Sequence, residues 1–178
     1  MTLYTRKDTV GNQRIFEGQI FTVRVDRLRR QDGSELTREI VEHPGGVVIA
    51  CKPSGNEVLL IRQYRYAIDK ELIELPAGRL DPGEDRLSAA KRELIEETGY
   101  QAAQWSELPA MYSAPGFCDE LLTCYLATDI KWVGKDLDED EETDVMQVSL
   151  QEAWQLVIDR KICDAKTIAI LGVICHAN

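Results

Sequence analysis

Residues 78–100 read GRLDPGEDRLSAAKRELIEETGY and contain the strongest local pattern of the 178-residue chain. Pro82-Gly83 marks a turn, helix-forming residues follow, and Gly99 is typical of a helix C-terminus. We therefore predict a helix from Glu84 to Thr98. With about 3.6 residues per turn, one face of this helix is apolar and the opposite face is charged. The apolar face carries Leu87, Ala90 and Leu94, and the charged face carries Arg92, Glu93, Glu96 and Glu97.

The three glutamates of the charged face follow i,i+3 and i,i+4 spacing, so like charges are neighbours at a cost of roughly a few tenths of a kcal/mol each. A purely structural helix would gain stability from lysines interleaved at these positions. Two interpretations follow from the residues alone. The face is either a solvated acidic surface or a platform of oxygen ligands for a hard cation such as Mg²⁺.

The order of fixed residues in this stretch resembles the Nudix box, the signature of the Nudix hydrolases. The box is Gly, five residues, Glu, seven residues, Arg-Glu, an aliphatic residue, one residue, Glu-Glu, one residue, Gly and a hydrophobic residue. The chain matches it at Gly78, Glu84, Arg92-Glu93, Glu96-Glu97 and Gly99, with Tyr100 as the one loose position. The resemblance implies the family fold, an α/β/α sandwich with a mixed β-sheet.

Segments outside the box resemble the ADP-ribose pyrophosphatase branch of these hydrolases. Arg62–Arg65 and Glu74–Gly78 are similar to the stretches that lead into the box, and Ser113–Phe117 with Asp119-Glu120 is similar to a Pro-containing loop that follows it. The similarity extends from Ile15 to the last residues of the chain.

The resemblance implies a divalent-metal site built on the predicted helix. Glu93 and Glu97 would be the principal ligands, with Glu96 nearby and the backbone carbonyl of Ala77 as a further ligand. Arg92 would orient the glutamates by charge-assisted hydrogen bonds. The expected ion is Mg²⁺, with Mn²⁺ as a substitute.

The resemblance also implies a set of substrate-binding residues, and each has a plain structural alternative. Arg65 would contact phosphate or be a surface charge at a strand end, and Glu74 would lie near the terminal ribose or a metal-bound water or simply be solvated. Glu120 would be the general base or orient the attacking water, or be a surface acid of its loop. Phe16 or Phe21 would stack on the nucleobase, or either would be core. Pro115 would fix the loop beside the terminal ribose.

Alternating apolar and polar residues from Ile15 to Val41, with a turn at Gln31–Ser34, predict a small antiparallel β lobe at the N-terminus. Two apolar runs, Gly46–Cys51 and Glu57–Gln63, flank Pro53–Asn56 and predict a hairpin that feeds a buried sheet. We expect two further helices, from about Leu150 to Arg160 and from about Lys166 to His176. The expected organisation is a lobe of residues 1–45 that dimerises, followed by a catalytic domain of residues 46–178.

The charge balance restricts the partners of the chain. Twenty-one Lys+Arg against 31 Asp+Glu give a net charge of -10, which argues against nucleic-acid and membrane-surface binding. A run of acidic residues, Asp136–Asp144, is interpreted as a solvated loop, although Glu139, Asp140 or Glu141 could reach the site in a closed state. The five cysteines contain no CxxC and are expected to be reduced, as in a cytoplasmic protein. His43 and His176 are expected to be structural or exposed.

The resemblance, with Glu93, Glu96 and Glu97 all present, implies an enzyme. The expected reaction is Mg²⁺-dependent hydrolysis of the diphosphate linkage of ADP-ribose to AMP and ribose 5-phosphate. The alternatives are hydrolysis of another nucleoside diphosphate sugar or dinucleotide, such as ADP-glucose, NADH or FAD, and a Nudix-like ligand-sensing module without turnover. The box binds the diphosphate that all these compounds share, so it does not distinguish between them.

Overall fold

The computed structural model describes residues 4–135 and 143–176. These residues form two compact units. The first contains the described residues up to Gly45 together with Tyr112–Leu121, and the second contains Gly46–Met111 and the described residues from Leu122 onward. No helix in these two described ranges is both long enough and apolar enough to span a membrane.

The first unit is built on a three-stranded antiparallel sheet, as predicted for the N-terminal lobe. Its strands follow chain order and are β1 (Thr9–Glu17), β2 (Thr22–Arg29) and β3 (Glu35–Glu42). The predicted turn between β2 and β3 is confirmed, because the N–H of Arg30 donates to the carbonyl of Ser34 at 2.8 Å. Gly33 adopts a φ of 83° in this turn, a conformation that favours glycine.

The second unit contains seven strands and three helices. The strands are β4 (Gly46–Cys51), β5 (Glu57–Arg65), β6 (Lys70–Glu74), β7 (Ala77–Arg79), β8 (Tyr100–Tyr112), β9 (Leu121–Trp132) and β10 (Thr143–Ser149), where β8 and β9 each run one residue into the first unit. The helices are α1 (Arg86–Thr98), α2 (Leu150–Ile158) and α3 (Ala165–His176). Helix α1 begins two residues later than predicted because Asp85 caps it, accepting a hydrogen bond from the Ser88 N–H at 3.1 Å.

The strands of the second unit form two sheets. One has the order β7-β4-β9-β8 and is mixed, with β4 parallel to β9 and antiparallel to β7. The other has the order β10-β5-β6 and is antiparallel. The predicted hairpin of β4 and β5 is therefore wrong. Strand β4 is hydrogen-bonded on both sides, by β7 and β9, so no edge remains for β5, and the turn at Pro53–Asn56 instead carries the chain from one sheet to the other.

Alternating side chains of β4 create the expected sandwich. Val47, Ile49 and Cys51 pack in one hydrophobic core with α1, whereas Val48 and Ala50 pack in a second core with α2 and α3. Since successive side chains of a strand point to opposite faces, helices cover both faces of this sheet. The predicted α/β/α sandwich with a mixed sheet is thereby confirmed.

Candidate active site

Helix α1 is fixed by its apolar face, which packs on the sheet, and two of its acidic residues, Glu93 and Glu97, are also buried. Ala89, Ala90 and Leu94 are fully buried against the sheet. The helix ends at Gly99, whose φ of 76° is left-handed and whose N–H donates to the carbonyl of Ile95 at 2.8 Å. The box sequence therefore gives a rigid helix with defined ends, which can hold several carboxylates in fixed relative positions.

Arg92 binds three carboxylates of the box. Its Nε and Nη2 donate to the two carboxylate oxygens of Glu84 at 3.0 and 2.9 Å. Its Nη1 donates at 2.8 Å to Glu93 and at 2.8 Å to Glu96, and Nη2 also donates to the Arg79 carbonyl at 3.1 Å. The hydrogen bond with Glu84 raises the pKa of Arg92 and lowers that of Glu84. This is the contact pattern expected of a residue that orients the glutamates.

Glu97 is almost completely buried, with 1% of its surface exposed, and the N–H of Ala77 donates to its Oε2 at 2.9 Å. The Thr143 hydroxyl donates to the backbone carbonyl of Glu97 at 2.8 Å. Strand β7 and the start of β10 therefore hold this part of α1. The carboxylate of Glu97 and the backbone of Ala77, two predicted metal ligands, lie side by side.

Gly78 makes close approach to Glu93 feasible. A Cβ added at Gly78 would lie 1.8 Å from the carboxylate carbon of Glu93 and 1.9 and 2.2 Å from its oxygens. Only a residue without a side chain leaves room for the carboxylate at this point of β7. The Gly that begins the box pattern therefore has a direct steric explanation here.

The donors gathered here fit a hard divalent cation. Carboxylate and carbonyl oxygens are the ligands that Mg²⁺ prefers, and Glu93, Glu96, Glu97 and Ala77 offer only these. Within residues 4–135 and 143–176, no three acidic, histidine or cysteine side chains already converge as a metal cluster. Arg92 pairs with Glu84, Glu93 and Glu96. The assignment of metal ligands stays a prediction.

Arg65 and Glu74 form a second charged cluster, in which the sequence analysis missed one member. Nε and Nη2 of Arg65 donate to Oε1 and Oε2 of Glu74 at 2.8 and 3.0 Å. Lys166 of α3 donates to Oε2 of the same carboxylate. Burial raises the pKa of Glu74, but the hydrogen bonds and charges of Arg65 and Lys166 outweigh it and lower that pKa overall. Arg65 is thus neither a simple surface charge nor an isolated cation.

Three predicted site residues belong to the first unit. Phe16 is exposed, and its ring centroid lies 5.8 Å from that of Phe21, so it is not core. Pro115 lies in a turn in which the N–H of Phe117 donates to the Ala114 carbonyl at 3.1 Å. Glu120 follows this turn.

Glu120 lies beside His43, a residue expected from the sequence to be structural or exposed. Its Oε1 lies 3.3 Å from Nδ1 of His43, and the N–H of His43 donates to the adjacent Asp119 at 2.9 Å.

In the acidic run, Glu139, Asp140 and Glu141 lie outside the described residues, whereas Asp144 is in β10. Both interpretations of the run, a solvated loop and an acidic segment that reaches the site in a closed state, therefore stay predictions.

Comparison with known proteins identifies the class. Residues 42–169 match the NUDIX domain family, which is more than half of the chain. The chain belongs to this family.

Three proteins are similar to this chain over most of its length. An "ADP-ribose pyrophosphatase" of Bacillus subtilis (strain 168) is 37% identical over 89% of this chain and 87% of its own length. Another protein of that name, from Mycobacterium tuberculosis (strain ATCC 25618 / H37Rv), is 38% identical over 96% of this chain and 83% of its own. A "Methanol dehydrogenase activator" of Bacillus methanolicus is 38% identical over 90% of this chain and 88% of its own length.

A solved structure shares the fold. The structure of an "ADP compounds hydrolase" superimposes with a TM-score of 0.82 and covers 94% of this chain and 91% of its own. Its sequence is 23% identical, so the likeness concerns the fold alone.

Proposed function

We propose that this protein hydrolyses the diphosphate linkage of ADP-ribose to AMP and ribose 5-phosphate, with Mg²⁺, or Mn²⁺ as a substitute. The observation that carries the proposal is the box helix, in which Arg92 organises Glu84, Glu93 and Glu96 while the Ala77 N–H fixes Glu97. All three helical acids of the box are present, which favours an enzyme over a ligand-sensing module. The names of two relatives support ADP-ribose as the substrate.

The residues of the chain divide the work of the reaction. When bound, a divalent ion would neutralise the diphosphate and lower the pKa of a water molecule. Glu93, Glu96, Glu97 and the Ala77 carbonyl would hold that ion, and Arg92 keeps the first two in place. Arg65 would donate hydrogen bonds to a phosphate. Glu120 would accept a proton from the attacking water or orient it.

The substrate class is tested by offering compounds that share the diphosphate. Purified protein is incubated with Mg²⁺ and, separately, with ADP-ribose, ADP-glucose, NADH and FAD, and products are identified by phosphorus NMR. We expect AMP and ribose 5-phosphate from ADP-ribose, with the highest kcat/KM of the four. A higher value for ADP-glucose, NADH or FAD would replace ADP-ribose with that compound, and no turnover of any would favour the ligand-sensing module.

The proposal extends to assembly and location. The end of the β1–β2 hairpin exposes four large apolar side chains, those of Ile15, Phe16, Ile20 and Phe21. An exposed apolar patch of this kind is typical of an association surface, which supports a homodimer formed through the lobe of residues 1–45, with Phe16 beside the nucleobase. Light scattering at micromolar concentration tests the dimer, and a fully active monomer would contradict it.

The five free thiols support a cytoplasmic location.

A further inference from the structure

Glu74 has two cationic partners, Arg65 and Lys166, and the second of them is shared with Asp164. The carboxylate is 1% exposed, and it accepts hydrogen bonds from Nε and Nη2 of Arg65 and from Nζ of Lys166. The residues that supply these cations lie far apart in the sequence. Arg65 ends β5, and Lys166 lies in the first turn of α3.

The two cations differ in how firmly they are held. Lys166 is 16% exposed and also lies 3.1 Å from Oδ1 of Asp164. Asp164 in turn caps α3, since its Oδ2 accepts from the N–H of Thr167 at 2.9 Å and from the Thr167 hydroxyl at 2.6 Å. The same hydroxyl accepts from the N–H of Leu75 at 2.8 Å, next to Glu74. Lys166 is therefore fixed to the carboxylate by the start of a helix.

Arg65, by contrast, is 36% exposed and can reach a ligand. Leaving a buried carboxylate without any counter-ion is strongly unfavourable. If Arg65 were the only partner of Glu74, it could therefore not turn towards a phosphate. The presence of Lys166 removes this restriction, because Glu74 keeps a cation when Arg65 moves.

We propose that Lys166 is a positioning residue that retains the charge of Glu74 and so releases Arg65 to bind the diphosphate of the substrate. This inference rests on the proposed function. It assigns to α3 a part in substrate affinity, although Lys166 itself need not contact the substrate.

Kinetics of Lys166→Met test the proposal. The variant keeps the aliphatic length but removes the charge, so Arg65 stays with Glu74. We expect KM for ADP-ribose to rise about tenfold while kcat changes less than about twofold. Lys166→Arg, which keeps a cation, should restore KM to within about threefold of the wild type. Lys161→Met, a change at an exposed lysine of the same region, is the matched control and should leave both parameters unaltered.

A double-mutant cycle separates action through Glu74 from a general structural effect. In a Glu74→Gln background no buried charge competes for Arg65, so adding Lys166→Met should change KM less than about twofold. Binding of ADP, measured by calorimetry without turnover, should show the same pattern, and thermal melting checks that each variant is folded.

The outcomes distinguish the two proposals. If the wild type hydrolyses ADP-ribose and folded Lys166→Met keeps the wild-type KM, the role of Lys166 is wrong while the proposed function stands. An equally large KM effect of Lys166→Met in the Glu74→Gln background would also overturn it. If the wild type turns over none of the diphosphate compounds, the proposed function is wrong, and the role of Lys166 that rests on it is wrong as well.

Discussion

Substitution of Gly78 by alanine should disable the site while leaving the fold intact. The added Cβ would lie 1.8 Å from the carboxylate carbon of Glu93, whereas ordinary contacts begin at 3.4 Å. The carboxylate must therefore move by about 1.5 Å, and a displacement of about 1 Å at a catalytic group can lower the rate about 100-fold. We expect kcat to fall by about that factor, which corresponds to about 2.7 kcal/mol in the barrier.

Stability should change little in the same variant. The φ of Gly78 is outside the left-handed region, so alanine can adopt its backbone conformation. The atoms that must yield are the end of a flexible side chain, and alanine reduces the entropy of the unfolded chain, a gain of about 0.4–1 kcal/mol. We therefore expect the free energy of unfolding to stay within about 1 kcal/mol of the wild type, as measured by urea denaturation.

The assay is steady-state hydrolysis of ADP-ribose at saturating Mg²⁺. Gly55→Ala serves as the matched control, because a Cβ at Gly55 would meet no described atom within 4 Å. Adding Glu93→Gln to Gly78→Ala should cost less than about threefold more, since both changes act on one carboxylate. A folded Gly78→Ala protein with more than a third of the wild-type kcat would refute the reasoning.

Three further predictions concern single groups. Glu97→Gln should lower kcat at least about 100-fold with the fold intact, because it removes one charge from the proposed metal site; more than a tenth of the wild-type turnover would contradict this. Glu120→Gln should lower kcat more than it raises KM, as expected of a base or water-orienting group, and the reverse pattern would assign it to binding. Burial raises the pKa of Cys51 to about 12 and that of Cys124 to about 11. Because the thiolate fraction falls as the pKa rises, at pH 8 only about one Cys51 in ten thousand is reactive, so Ellman's reagent should modify exposed Cys163 and leave both buried thiols until the protein unfolds.

Sequence reasoning succeeded where the determinants are local. The helix from Glu84 was recognised from its apolar spacing and its terminal Gly99, and β4 from an unbroken apolar run. The predicted pairing of β4 with β5 is wrong, because strands distant in the sequence, β7 and β9, occupy the two edges of β4. The three-residue strand β7 is too short to show an alternating pattern.

The charged cluster around Glu74 shows a second limit. Lys166 lies 92 positions further along the chain, and neither spacing nor composition connects the two residues. The contact of His43 with Glu120 likewise depends on how the 112–121 segment returns to β3, which no local sequence pattern indicates. By contrast, the box pattern already indicates a glycine at position 78. The physical reason for this glycine is the position of the Glu93 carboxylate, which only the structure shows.

The contacts of Arg92 bear on the order in which the protein folds and takes up its ion. In small metal-dependent domains, ligands repel or stay solvated until the metal arrives, so loading and folding are one event. Here a guanidinium built into the same helix already pairs with Glu84, Glu93 and Glu96. Under the proposed function, we therefore expect the chain to fold without added metal, and we expect the supply of divalent ion to set how much of the folded protein is active.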